Sequence, residues 1–389
     1  MDKNTTILFA SLVIVMMGFG MIIPIFPFYI QSFGASGGSM GLVMASYSIM
    51  QFLFAPFWGS LSDKYGRKPL LILGMAGNGI AMFFGGVAST LWMLIASRAL
   101  AGMLSSATLP TAMAFIGDTT SEGERGAGMG KLGAAMGVGM VLGPGIGGWL
   151  AEIDLSYPFY LATVLSFVGM LAIFLFLPES LPLEKRAHTK IARGPELRPM
   201  WDALYSPVGI LLFLAFLLSF GMTNFEGIFG VYALARFQYS PKEVGTILTV
   251  IGVVSALMQG VMVGPFTKKW GERKIIIASL LGGSLGFLLM LTAFNYLTVL
   301  LTVSLFIMSV AMLRPSVASL TSRRAGEIGQ GTAMGLNSSF MSLGRIIGPL
   351  WAGFLFDVNI TLPYLSGAII MLAGFGAALK KCKKQPHLL

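Results

Sequence analysis

A run of about 20 apolar residues is long enough to cross the hydrocarbon of a bilayer as a helix, and this chain contains twelve such runs in 389 residues. They lie near 7–30, 39–60, 69–88, 91–116, 127–150 and 156–178, then 207–233, 241–265, 274–293, 296–320, 330–355 and 362–379. The runs are continuously apolar rather than alternating, so they read as helices and not as strands of a membrane barrel. Only 11% of the residues are Asp, Glu, Lys or Arg, against roughly 25% in soluble domains. That excludes a soluble globular chain and a disordered one. The first run is too long for a cleaved signal peptide. It contains Pro24 and Pro27, which are expected to break the helix near its outer half. The fold class expected is an all-α integral membrane protein.

Orientation follows from the excess of Lys and Arg in cytoplasmic loops. With the N-terminus inside, 21 of the 26 Lys and Arg residues fall in cytoplasmic segments. Arg236 and Lys242 alone fall outside, and Arg98, Arg314 and Arg345 lie within spans. Both termini are therefore expected in the cytoplasm. The net charge of +10 has this topological origin, and a nucleic-acid partner is not expected, because the basic groups are scattered over separate loops.

Few residues are available for catalysis or metal binding. Cys382 is the single cysteine, and His188 and His387 sit in polar stretches. No disulfide, Cys/His metal centre or Ser/His or Cys/His catalytic constellation can be assembled from these. Gly128-Met129-Gly130-Lys131-Leu132-Gly133 matches a dinucleotide fingerprint by spacing, but it follows a charged turn, not a strand. An enzyme, a metal and a cofactor are thus not expected, and energy for any transport must come from an ion or solute gradient.

The longest polar stretch, 179–206, separates six spans from six. The expected organisation is a six-helix half over 1–178, a cytoplasmic linker over 179–206, a second half over 207–380 and a tail over 381–389. A faint repeat relates the halves at a constant offset of 205. Gly59, Lys64 and Gly66 correspond to Gly264, Lys269 and Gly271. Gly139, Gly143, Pro144 and Gly148 correspond to Gly344, Gly348, Pro349 and Gly353, and Pro158 to Pro363. Parallel six-span repeats are the architecture of major facilitator transporters, with substrate bound near mid-membrane and access alternating between the two faces.

The loop Gly59-Ser60-Leu61-Ser62-Asp63-Lys64-Tyr65-Gly66-Arg67-Lys68-Pro69 resembles the signature loop of the major facilitator superfamily. Gly59 and Gly66 remove side-chain bulk where two helices turn and pack. The resemblance implies that Asp63, with Arg67, latches the cytoplasmic gate. Lys268 stands where the second half would repeat Asp63. Gly139-Met140-Val141-Leu142-Gly143-Pro144-Gly145-Ile146-Gly147-Gly148 looks like the motif of the drug-exporting antiporter branch. Its glycines make a flat face and Pro144 bends the helix. That face seals or hinges the halves, or serves packing alone. Gly18 to Pro27 resembles the start of twelve-span drug exporters. In the fourth span the family has an Arg associated with proton transfer, here Arg98; the alternative is a snorkelling residue.

Glu226 is the acid that lies clearly within a span. Withdrawal from water favours the neutral form of a carboxyl, the property a proton carrier needs. The alternative is a structural Glu held by Asn224 or an arginine. Its surroundings, Ser219-Phe220-Gly221 through Phe225-Glu226, are similar to those in Gram-positive multidrug exporters of the NorA and Bmr type, where the matching Glu is implicated in proton coupling. Met312-Leu313-Arg314-Pro315 and Gly335-Leu336-Asn337-Ser338 extend the resemblance, which covers nearly the whole chain; tetracycline exporters share the branch. Two positions depart from it. Ala311 stands where those exporters have an Asp, and Arg345 where they have a neutral polar residue. A two-carboxylate proton mechanism does not carry over, and the excess of arginine tilts the core toward neutral or anionic solutes. Candidate substrate contacts are Gln51, Gln259 and Asn337, whose amides gain nothing in an apolar span unless paired, then Phe225, Phe229, Arg314 and Arg345, with Tyr47 and Phe340 behind them.

The function expected is proton-driven export of amphipathic drugs or related small molecules by alternating access. The alternatives are a narrow-specificity exporter or importer of one metabolite, and an uncoupled facilitator or channel-like protein. The partners expected are the small-molecule substrate, protons and the lipid bilayer of a bacterial inner membrane, and the assembly expected is a monomer.

Overall fold

The computed structural model describes residues 3–186, 194–195, 197–206, 208–326 and 329–384. His188 and His387 lie outside them, as do parts of the 179–206 linker and 381–389 tail. Sixteen α-helices lie among the described residues. The first span is α1 (Lys3–Ile22), a tight turn at Ile23–Ile25 and α2 (Phe26–Ser32). Pro24 and Pro27 cause that interruption, since neither can donate the backbone bond a continuous helix needs. Next come α3 (Gly37–Tyr65), α4 (Arg67–Gly86), α5 (Leu91–Ser105), α6 (Thr108–Thr119), α7 (Glu122–Ala151) and α8 (Tyr157–Phe176). A short α9 (Leu197–Ala203) leads to α10 (Gly209–Phe237), α11 (Pro241–Leu257), α12 (Val263–Leu291), α13 (Tyr296–Val310), α14 (Leu313–Arg323), α15 (Gln330–Val358) and α16 (Leu362–Lys384).

Among the described residues, eleven helical stretches are long and apolar enough to cross a membrane. One of them, Pro241–Leu291, is 51 residues long. Gly271 breaks it at φ 75° and ψ 155°, which divides it into the two spans read from the sequence. Its repeat partner, Gly66, has φ 106° and ψ 165° and separates α3 from α4. Side chains rarely adopt such φ values, so glycine is required at both turns.

A second paired break occurs in the fourth and tenth spans. The fourth span parts at Ser106–Ala107, between α5 and α6, and the tenth at Ala311–Met312, between α13 and α14. Both pairs are 205 apart, and so are Pro110 and Pro315. Each proline lacks the N–H that would bond the carbonyl four residues back, at Ser106 and Ala311. Apolar composition alone makes both spans read as continuous helices.

Two compact units form. The first comprises Met1–Ala35, Ser46–Pro195 and Tyr239–Thr249. Its main packing sets α1 against α7 and α8, and α4 against α8 and α5. Leu8, Leu12, Leu71, Met75, Phe115 and Ile173 lie in its core. The second comprises Ser36–Ala45, Glu196–Gln238 and Val250–Leu389. There α10 packs on α15 and α12 on α16 and α13, so the pairings repeat. Its aromatic centre includes Phe306, whose ring centroid lies 4.7 Å from that of Phe287 and 5.2 Å from that of Phe225. The start of α3 and the start of α11 each join the unit built mainly from the other half of the sequence.

Candidate functional site

Glycine sets how closely the helices of the first unit approach. A Cβ on Gly143 would lie 2.6 Å from the Met17 carbonyl oxygen and 2.9 Å from the Gly20 Cα. A Cβ on Gly20 would lie 3.1 Å from the Pro144 ring. The face containing Gly143 and Pro144 is thus the one that seats α1 on α7. The carbonyl of Pro144 also meets Gly245 of α11.

Arg98, on α5, is only 2% exposed. Its guanidinium carbon lies 4.8 Å from the Tyr47 ring centroid, 5.4 Å from Phe26 and 5.8 Å from Phe19. Its Nε has no hydrogen-bond partner among the described residues. Three π-faces therefore surround this buried cation. Gly102 makes the arrangement possible, because a Cβ there would overlap the Tyr47 carbonyl. Gln51 donates its Nε2 toward the Tyr47 hydroxyl at 3.5 Å, and that hydroxyl lies 3.4 Å from Ser105 Oγ. The fold thus brings Gln51 and Arg98 to the same tyrosine.

In the second unit Glu226 sits on α10. Arg345 of α15 and Arg314 of α14 are the cations that act electrostatically on its carboxyl. Arg345 also donates to Ser342 Oγ at 3.0 Å. Asn224 does not hold Glu226 through its amide nitrogen, which donates 3.0 Å to the Pro363 carbonyl. Phe225 is fully buried against Phe229 and Phe306, at 5.1 and 5.2 Å between centroids. Asn337 is buried, and its Oδ1 has no partner among the described residues. Gln259 is exposed and donates to Ser255 Oγ at 2.7 Å. It lies in the wide turn Met258–Met262 that interrupts the helix after α11; such turns are frequent at functional sites.

The loop between α3 and α4 holds a dense charge cluster. The Arg67 side chain is 7% exposed. It donates Nη1 to Asp63 at 2.5 Å and to Ser62 Oγ at 2.7 Å, and Nε to Asp118 at 2.9 Å. Glu179 accepts the Arg67 and Lys68 backbone N–H groups at 2.8 and 3.2 Å, capping α4. A Cβ at Gly66 would collide with that Glu179 carboxylate. Gly59 has open space beside it. Asp118 and Glu179 were missed as site residues from sequence.

In the second unit Glu272 opens the helix after Gly271. Arg323 Nη2 lies 2.9 Å from its carboxylate, and Ser319 Oγ donates to it at 3.1 Å. Adding 205 to Arg67 and Asp118 gives Glu272 and Arg323, so the repeat offset in the sequence already pairs these positions. No group of three or more His, Cys, Asp or Glu that could hold a metal occurs among the described residues.

The model of the Major Facilitator Superfamily matches residues 8–232 and 211–387. Multidrug resistance protein 2 of Bacillus subtilis (strain 168) is 30% identical over 377 residues, covering 96% of this chain and 94% of the relative. Quinolone resistance protein NorA of Staphylococcus aureus (strain COL) is 31% identical over 380 residues, covering 96% and 95%. Among solved structures, the nucleoside transporter NupG superposes with TM-score 0.80 at 14% identity, covering 98% of this chain and 100% of that one. The human organic anion transporter MFSD10 gives TM-score 0.71 at 24% identity, covering 97% and 100%. The repeated helix breaks, the signature loop and the near full-length match agree: this chain is a multi-pass membrane transporter of the Major Facilitator Superfamily.

Proposed function

We propose that the protein exports amphipathic drugs or related small molecules in exchange for protons, with both termini in the cytoplasm. The observation that carries this reading is the likeness, over 96% of the chain, to relatives named for multidrug and quinolone resistance. Glu226 loads and releases the proton, with Arg345 and Arg314 as its neighbouring charges. Arg98 takes part in coupling from its aromatic enclosure. Asp63 and Arg67, with Gly59 and Gly66, latch the cytoplasmic gate, and Gly143 and Pro144 shape the α1–α7 contact. Gln51, Gln259, Asn337, Phe225, Phe229, Arg314 and Arg345 contact substrate. The protein works as a monomer, without nucleic acid.

The test uses purified protein in liposomes with an imposed pH gradient and a panel of cationic, neutral and anionic dyes. Uphill movement that is lost in Glu226→Gln supports the antiporter. Equal movement with and without the gradient overturns proton coupling and favours a facilitator.

A further inference from the structure

Two exposed carboxylates at the ends of α7 and α15 do the same thing in the two units. Asp357, in the last turn of α15, accepts the Gly37 N–H through Oδ1 at 2.7 Å and the Gly38 N–H through Oδ2 at 2.8 Å. Glu152, immediately after α7, accepts the Lys242 N–H through Oε1 at 3.2 Å. The acceptors are 205 residues apart, and so are the donors Gly37 and Lys242. Each donor lies in the first turn of a helix, α3 or α11.

These acids sit at the wrong end of their own helices. A C-terminal end carries partial negative charge and disfavours a carboxylate. A facing N-terminus, with its positive end and unpaired N–H groups, reverses that balance. Each carboxylate is therefore well placed only while the neighbouring helix start stays against it.

The surrounding seam is built for close contact without side-chain bulk. A Cβ on Gly353 would meet Gly37 and Gly38, and one on Gly41 would lie 2.5 Å from the Pro349 carbonyl oxygen. In the other unit, a Cβ on Gly148 would lie 2.5 Å from the Pro241 carbonyl oxygen and 3.1 Å from the Gly245 Cα. Each seam joins a helix from one half of the sequence to a helix from the other. On the positive-inside topology proposed above, both lie on the outer face. At the aqueous rim such bonds are weak enough to break in every cycle.

We propose that Glu152 and Asp357 are paired latches of the outer gate, positioning residues that hold α11 to α7 and α3 to α15 and must release together when that face opens. This goes beyond the drug-export reading, and its test needs no transported substrate.

The experiment starts from Cys382→Ser. Thr249→Cys reports the first seam, because Thr249 Oγ1 is buried beside Gly145. Val43→Cys, fully buried at the start of α3, reports the second. Labelling by a membrane-impermeant maleimide is timed in right-side-out and inside-out vesicles. Asp357→Asn, which removes a latch from α3 and α15, is expected to speed labelling at Thr249→Cys by about threefold or more. Glu152→Gln is expected to do the same at Val43→Cys, and Asp357→Glu to restore the parent rate. The two arms are independent, so one poorly folding variant leaves the other readable. Faster labelling only at each variant's own seam marks two local helix caps and overturns the paired latch. Coupling confined to inside-out vesicles overturns its placement on the outer face.

Discussion

Arg67 and Glu272 occupy the same place in the two repeats, 205 residues apart, and carry opposite charges. Each follows a glycine with positive φ and opens a helix. Arg67 binds Asp118, while Glu272 binds Arg323, the repeat partner of Asp118. The bond is kept and its polarity reversed. The reversal has a local cost in the first repeat, where a cation stands at a helix N-terminus. Glu179 offsets it by capping Arg67 and Lys68.

Inverting the first pair to match the second should therefore be recoverable. Arg67→Glu alone faces Asp63, Asp118 and Glu179, and is expected to lose about 3 kcal/mol or more of stability. Arg67→Glu with Asp118→Arg restores an ion pair and is expected to recover about 1–2 kcal/mol of that loss. Thermal unfolding in detergent of both singles and the double variant measures the coupling. Strict additivity would show that the pair does not stabilise the fold.

Helix approach at the glycine face is set by backbone, which cannot move aside as a side chain can. Gly143→Ala drives a Cβ to 2.6 Å from the Met17 carbonyl oxygen, and is expected to cost about 1–3 kcal/mol by overpacking. Gly137→Ala meets open space and is expected to be neutral or to stabilise by up to about 1 kcal/mol through helix propensity. Unfolding midpoints of the two variants give the comparison, and equal midpoints would contradict it.

The local charge around Glu226 favours anions, because two arginines act on one carboxyl. Arg345→Gln removes one positive charge. It is expected to strengthen binding of a cationic dye by about 10- to 20-fold and to weaken binding of an anionic dye comparably, for a charge about 10 Å away at an effective dielectric of about 20. Equilibrium binding to purified protein at fixed ionic strength checks this. Parallel changes for both dyes would point to altered packing instead.

Arg98 is held by flat faces, and a planar guanidinium stacks where an ammonium does not. Arg98→Lys is expected to lower transport about tenfold with little change in expression. Tyr47→Phe keeps the ring beside Arg98 and removes only the hydroxyl shared with Gln51 and Ser105. It is expected to stay within about threefold of the parent. Initial rates in proteoliposomes decide the order of the two variants, and the reverse order would place the function on the hydroxyl.

Much of the fold was legible because a bilayer judges each segment by its own length and polarity. The twelve spans, the break at Pro24 and Pro27 and the 205-residue repeat are local or periodic properties of the chain. The signature loop likewise singled out Gly66 and Arg67. The breaks at Ser106–Ala107 and Ala311–Met312 were legible in principle, since Pro110 and Pro315 cause them, but apolar composition concealed them. Only the tertiary structure decided who faces whom. Asp118 and Glu179 reach Arg67 from 51 and 112 residues away, three rings from α1, α2 and α3 enclose Arg98, and α15 brings Arg345 to Glu226. A charged side chain carries no mark of its partner in the sequence. That choice is made by helix packing, where glycine contacts fix the distance between axes and so determine which polar groups can meet.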